Sequence, residues 1–105
     1  MTIEELMEAL PGAYRPDKAA GWNCRFHFMF AEAQNPEWTV AIADGACTVE
    51  KGLQGTADCE VRTKEKTYVG IAEGTVNPQF AFLTGKVKVT DIVAMMQLMK
   101  VFPRD

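Results

Sequence analysis

His27 is the chain's single histidine, and chemistry built on it would be general-base catalysis or metal ligation. Either role needs a carboxylate, a thiolate or a second imidazole placed beside it. Alternation along residues 22–30 instead puts His27 next to Arg25 on the polar side of a strand, so a solvated histidine on a sheet face is expected. Asp58, Glu60 and Arg62 alternate in the same way along another strand. Paired carboxylates acting on a glycosidic bond need a cleft, and these share an open face. With Lys86 and Lys88 on a neighbouring strand they are expected to form cross-strand charge pairs. Cys24, Cys47 and Cys59 form no CxxC pair, and as three they leave one thiol over under any disulfide scheme. Each falls at an inward strand position, so buried free thiols in a reducing, cytoplasmic setting are expected. The glycines occur singly at turns, and the chain carries neither a GxSxG elbow nor an HExxH pair. No catalytic set, metal site or cofactor is expected, and the chain reads as non-enzymatic.

The elements that hold these residues follow from apolar periodicity. Thr2 and Glu5 have capping-box spacing, and Ile3, Leu6, Met7 and Leu10 recur at helical intervals, giving a first helix of about nine residues ended by Pro11-Gly12. From Trp22 the period becomes two: Trp22, Cys24, Phe26, Phe28 and Phe30 face one way, with Asn23, Arg25, His27 and Met29 opposite. Trp38, Val40 and Ile42 alternate up to Asp44-Gly45, a two-residue hairpin signal. That turn sets Ala43 against Ala46, Ile42 against Cys47, Val40 against Val49 and Trp38 against Lys51, so apolar meets apolar except at the last pair. Ala57, Cys59 and Val61 form a further half-buried strand. Thr63 is placed to cap a helix over 64–73 stopped by Gly74, and Asn77-Pro78 opens a short helix apolar nearly all round. Lys86-Val87-Lys88-Val89 makes a last strand. Thr90 is placed to cap a final helix whose stripe of Ile92, Met95, Met96, Met99 and Phe102, widened by Val93 and Leu98, should face the core. Helix and strand segments in this order predict an α+β fold, one domain over 1–105: a mostly antiparallel sheet covered by helices on one face.

The chain has 105 residues, 48% hydrophobic and 24% charged, with net charge −3. Scattered charges of this balance argue against nucleic acid as a partner, which needs a basic face. The acidic start Met1-Thr2-Ile3-Glu4-Glu5 lacks the layout of a secretory signal, and no apolar run reaches membrane-spanning length. What stands out is soft apolar bulk. Three methionines on the last helix and six phenylalanines either pack a solid core or leave a void for an apolar ligand.

The run Ala57-Asp58, Glu73-Gly74, Asn77-Pro78, Ala81-Phe82 and Gly85-Lys86-Val87-Lys88-Val89, followed by an apolar last helix, resembles the sterol carrier protein type 2 family. The hairpin with Trp38 and Asp44-Gly45 is similar too, and the likeness spans residues 22 to 102. Thr90-Asp91 departs from the family's usual Gly-Asp, and the first helix is short for the family. The resemblance implies a five-stranded sheet with helices on one face, enclosing an apolar tunnel for sterol, fatty acid or fatty acyl-CoA. It implies a tunnel lining of Phe26, Phe28, Phe30, Ile42, Tyr68, Phe80, Leu83, Met95, Met96 and Met99. The expected function is a non-enzymatic lipid-binding carrier, with a lipid or fatty acyl ligand as partner. Transient membrane contact and a homodimer are compatible with it. The alternative is a dimerisation or protein-interaction module of the same fold with no ligand.

Overall fold

The computed structural model describes residues 2–18 and 21–101. The elements run α1 (Ile3–Ala13), β1 (Cys24–Ala31), β2 (Glu37–Ala43), β3 (Ala46–Lys51), β4 (Cys59–Lys64), α2 (Glu65–Glu73), α3 (Pro78–Leu83), β5 (Val87–Val89) and α4 (Ile92–Val101), with a short 3-10 turn at Pro16–Lys18. The five strands lie in the order β3-β2-β1-β4-β5. Three pairings are antiparallel, and β1 with β4 is parallel.

The hairpin register follows the Asp44-Gly45 turn: Ala43 faces Ala46, Ile42 faces Cys47, Val40 faces Val49 and Trp38 faces Lys51. Lys51 finds a use at that off-pattern end. Its ammonium lies 5.8 Å from the centre of the Trp38 ring and 2.6 Å from the Glu4 carboxylate of α1. The Glu4 hydrogen bond and charge raise the Lys51 pKa above the ordinary lysine value.

The inner sheet face is built by alternation. Phe26, Phe28, Phe30, Trp38, Val40, Ile42, Cys59 and Val61 are all buried, and Ile3, Met7, Ala81, Leu98 and Val101 of the helices join them in one core. Several capping expectations are met. Thr2 and Glu5 form a reciprocal capping box, Asn77 Oδ1 accepts from the Phe80 amide at 3.0 Å, and Gly74 stops α2 in the left-handed region at φ 85, where a Cβ would be strained.

Four local expectations are corrected. The first helix does not end at Pro11-Gly12 but continues to Ala13. Proline already has a helical φ, and near the C-terminal end it removes only one hydrogen bond. Thr63 does not cap α2: its hydroxyl donates to the Lys86 carbonyl at 2.8 Å, tying β4 to β5, and Lys64 takes the cap position without a side-chain bond. Thr90 is likewise spent on the sheet, accepting from the Glu60 amide at 2.8 Å. The α4 cap is Asp91, whose carboxylate accepts from the Ala94 amide at 3.1 Å. Finally, Lys88 is paired not with Glu60 but with Arg62, so β4 and β5 oppose like charges.

His27 also departs from expectation, because it is buried. To reach β4, the chain leaving edge strand β3 must cross β2 and β1, and residues 52–58 do so on the polar face. Thr39 Oγ1 donates to the Gly52 carbonyl and accepts from the Gln54 amide, both at 2.8 Å. His27 Nε2–H donates to the Gln54 carbonyl at 2.9 Å. Arg25 and Asp58 close the crossing, with the Arg25 amide donating to Asp58 Oδ2 at 2.9 Å. Gly55, at φ 67, lies against the Arg25 guanidinium where a Cβ would collide. His27 is thus a fastener for the crossover. His27→Leu is expected to cost about 1 kcal/mol, the loss of one part-buried hydrogen bond, with faster amide exchange over 52–57 read by deuterium labelling.

Candidate ligand-binding site

The inner aromatic row comes from one strand and one helix. Phe26, Phe28 and Phe30 lie along β1 with successive ring centres 6.1 and 5.7 Å apart. Tyr68 of α2 caps the far end, its ring 5.0 Å from Phe30 and edge-on to Phe28 at 6.1 Å. Burial pushes the Tyr68 phenol up to about 12, so it is neutral and serves as an aromatic wall. Ile42 is buried on β2, and Met95 of α4 is half-buried against the same core. Six of the ten residues that the family resemblance implied are therefore brought together.

The other four face solvent. Phe80 is 61% exposed, Leu83 80%, Met96 57% and Met99 46%. In α3 only Ala81 is buried, and α4 docks through Leu98 and Val101 with Ala94 and Met95 beside them. Of the expected stripe, Leu98 and Met95 face the core, whereas Ile92, Val93, Met96 and Met99 are on the outer side of α4 and Phe102 lies outside the described residues. The residues that hold the helices down, Ala81, Leu98 and Val101, were not among the site candidates. Ala94, Leu98 and Val101 also stand at helical spacing, and that was the signal available for them.

Two short helices are thus held by small or few side chains. Their exposed apolar groups are concentrated: of the eight large hydrophobic side chains exposed among the described residues, seven lie between Phe80 and Met99. The eighth, Leu53, is on the crossover loop. Covering such surface is what apolar association does.

Cys24, Cys47 and Cys59 are free and buried, and burial pushes the thiols of Cys24 and Cys47 up to about 11. A raised thiol pKa means the neutral form persists in the fold. Stability from this source is therefore complete below the ordinary thiol pKa and lost as pH rises through about 11. Iodoacetamide at pH 8 is expected to alkylate the native chain far more slowly than the urea-unfolded chain, as counted by mass spectrometry. Among the described residues no group of three or more His, Cys, Asp or Glu is placed to hold a metal ion. No helix among them is long and apolar enough to cross a membrane.

Two curated relatives share sequence with this chain. Human "Sterol carrier protein 2" is 32% identical over 53 residues, which cover 50% of this chain and 10% of the human protein. "Non-specific lipid-transfer protein-like 1" from Caenorhabditis elegans is 24% identical over 92 residues, covering 88% of this chain and 78% of that one. Among solved structures, palmitated SCP2L2 from Aedes aegypti superposes with a TM-score of 0.78 at 20% identity, covering 99% of this chain and 96% of that one. A sec-alkylsulfatase from Pseudomonas sp. gives a TM-score of 0.84 at 20% identity over 100% of this chain, but this is only 17% of the sulfatase. The chain thus corresponds to a small part of the human relative and of the sulfatase, and to most of the nematode and mosquito proteins. The five-stranded α+β architecture is the one these structures share. Matching the model of the SCP-2 sterol transfer family over residues 3–103, the chain belongs to that family, one concerned with lipid binding and transfer.

Proposed function

We propose that this chain is a non-enzymatic carrier that shelters an apolar chain of a sterol, fatty acid or fatty acyl-CoA between its inner aromatic face and the segment α3–α4. One observation carries the reading: the exposed large hydrophobic side chains fall almost wholly on those two helices, each held to the core by few contacts. A ligand lying beneath or along them would remove from water the side chains the fold leaves out. With α3 and α4 turned so that their exposed side chains point inward, Phe26, Phe28, Phe30, Ile42 and Tyr68 form the inner wall, and Phe80, Leu83, Met95, Met96 and Met99 the outer one. Burial at roughly 0.8 kcal/mol per methylene gives about 10 kcal/mol gross for twelve methylenes, reduced by ordering and association. Micromolar affinity with little head-group selectivity follows. The palmitate carried by the mosquito relative makes a saturated acyl chain the first probe.

The test is native mass spectrometry of the purified full chain, before and after adding palmitate. A co-purifying lipid or a 1:1 palmitate adduct is expected. A chain that takes up no palmitate, and instead forms a dimer that protects residues 80–99 from deuterium exchange, would favour the ligand-free interaction module.

A further inference from the structure

A second feature lies at the end of the sheet where β4 runs into α2. An open groove of about 860 Å³ there is lined by Arg62, Lys64, Lys66, Lys86 and Lys88, with Glu37 as its one acid. Five of the chain's eleven lysines and arginines thus converge on one depression of a protein with net charge −3.

The strand register makes the convergence unavoidable. Arg62 of β4 sits directly opposite Lys88 of β5. Lys64 is two residues further along β4, and the Lys86 carbonyl is bound to Thr63 beside it. Neighbouring strands are about 4.8 Å apart and alternate residues about 6.8 Å apart along one strand, so the four cations form a tight grid. Like charges directly opposed on adjacent strands are destabilising. The available counter-charges are few. Glu60 approaches Arg62 at 3.5 Å and Glu32 approaches Lys64 at 3.8 Å, both exposed and open to screening. Lys66, Lys86 and Lys88 have no ion-pair partner among the described residues. Lys66 and Thr67, in the first turn of α2, line the same groove. Met29, Pro36 and Val76 supply an apolar floor next to the charged grid.

We propose that this groove binds a soluble phosphate-bearing polyanion, a diphosphate or larger, whose ring or alkyl portion rests on the Met29–Pro36–Val76 floor. A single carboxylate spans too little to meet cations on two strands and a helix. Linked phosphates offer several acceptor oxygens, and the Arg62 guanidinium can grip one of them in a two-pronged fashion. The groove is open, and its volume of about 860 Å³ is room enough for a small polyanion. The proposal is independent of the apolar-chain reading, since pyrophosphate has no apolar part.

The experiment is a titration of the full, isotope-labelled chain with pyrophosphate at low ionic strength, followed by amide NMR. Saturable shifts are expected over residues 62–67 and 85–88, with affinity about tenfold weaker in Arg62→Gln and in Lys88→Gln. The Arg62 side chain is 61% exposed, so the variant should keep the native spectrum, and Lys86→Gln provides a second probe outside the strands. No saturable shift, or equal affinity in all variants, would overturn the proposal. A parallel arm uses phosphatidylcholine vesicles with and without phosphatidic acid. Binding to the acidic vesicles that is lost in the variants, with none to pyrophosphate, would also overturn it by assigning the cations to a bilayer surface.

Discussion

Replacing Phe28 by alanine is expected to lower the unfolding free energy by about 3–5 kcal/mol, a large part of the total that a domain of this size possesses. Phe28 is the centre of the inner row. Its ring meets Phe26, Phe30 and Tyr68, and its strand neighbours are Trp38 on β2 and Val61 on β4. Those partners come from three strands and a helix, so the site cannot collapse around the missing ring. Urea unfolding read by tryptophan fluorescence measures the effect. Phe80→Ala, which removes the same group from a side chain facing solvent, should change stability by no more than about 0.5 kcal/mol. Equal losses in the two variants would mean that α3 is packed far more tightly than its single buried alanine implies.

The converse pattern is expected for ligand affinity. Leu83 is the most exposed of the large hydrophobic side chains on α3 and α4, so Leu83→Ser leaves the unfolding curve nearly unchanged. If an acyl chain covers that side chain, the same substitution removes about 1.5–3 kcal/mol of apolar burial, a loss of about tenfold or more in palmitate affinity. Fluorescence displacement of a bound fatty-acid probe gives the ratio directly. A stability-neutral variant with a large binding defect is the signature of a side chain held for a ligand. An unchanged affinity would remove α3 from the site.

Much of this architecture was legible in the residues. The hairpin register came from Asp44-Gly45 and the alternation around it. The helix stops and starts at Gly74 and Asn77-Pro78 came from local backbone chemistry that tertiary contacts do not override. The inner placement of Phe26, Phe28 and Phe30 needed only the period of two. The burial of His27 depends on a crossover that passes over two strands, and alternation reports a face without saying what lies above it. Thr63 and Thr90 were misjudged because one hydroxyl can cap a helix or bind a neighbouring strand, and the β4–β5 pairing decides which. The helix α4 posed a different difficulty. Gln97 and Lys100 give α4 only a narrow polar strip, too little for period alone to choose between its Met96–Met99 side and its Leu98–Val101 side. Packing selected Leu98 and Val101, leaving Met96 and Met99 outside. The basic groove was half visible, as lysines alternating with valines, but the meeting of Arg62 with Lys88 depends on which strands are neighbours.

The most direct test of the carrier account is isotope-filtered NMR of the full chain with unlabelled palmitate, recording contacts between acyl protons and protein side chains. Contacts are expected from the same acyl chain to the Tyr68 ring on one side and to the Leu83, Met96 and Met99 methyls on the other. Contacts confined to the Met29–Val76 groove, or none at saturating palmitate, would contradict it.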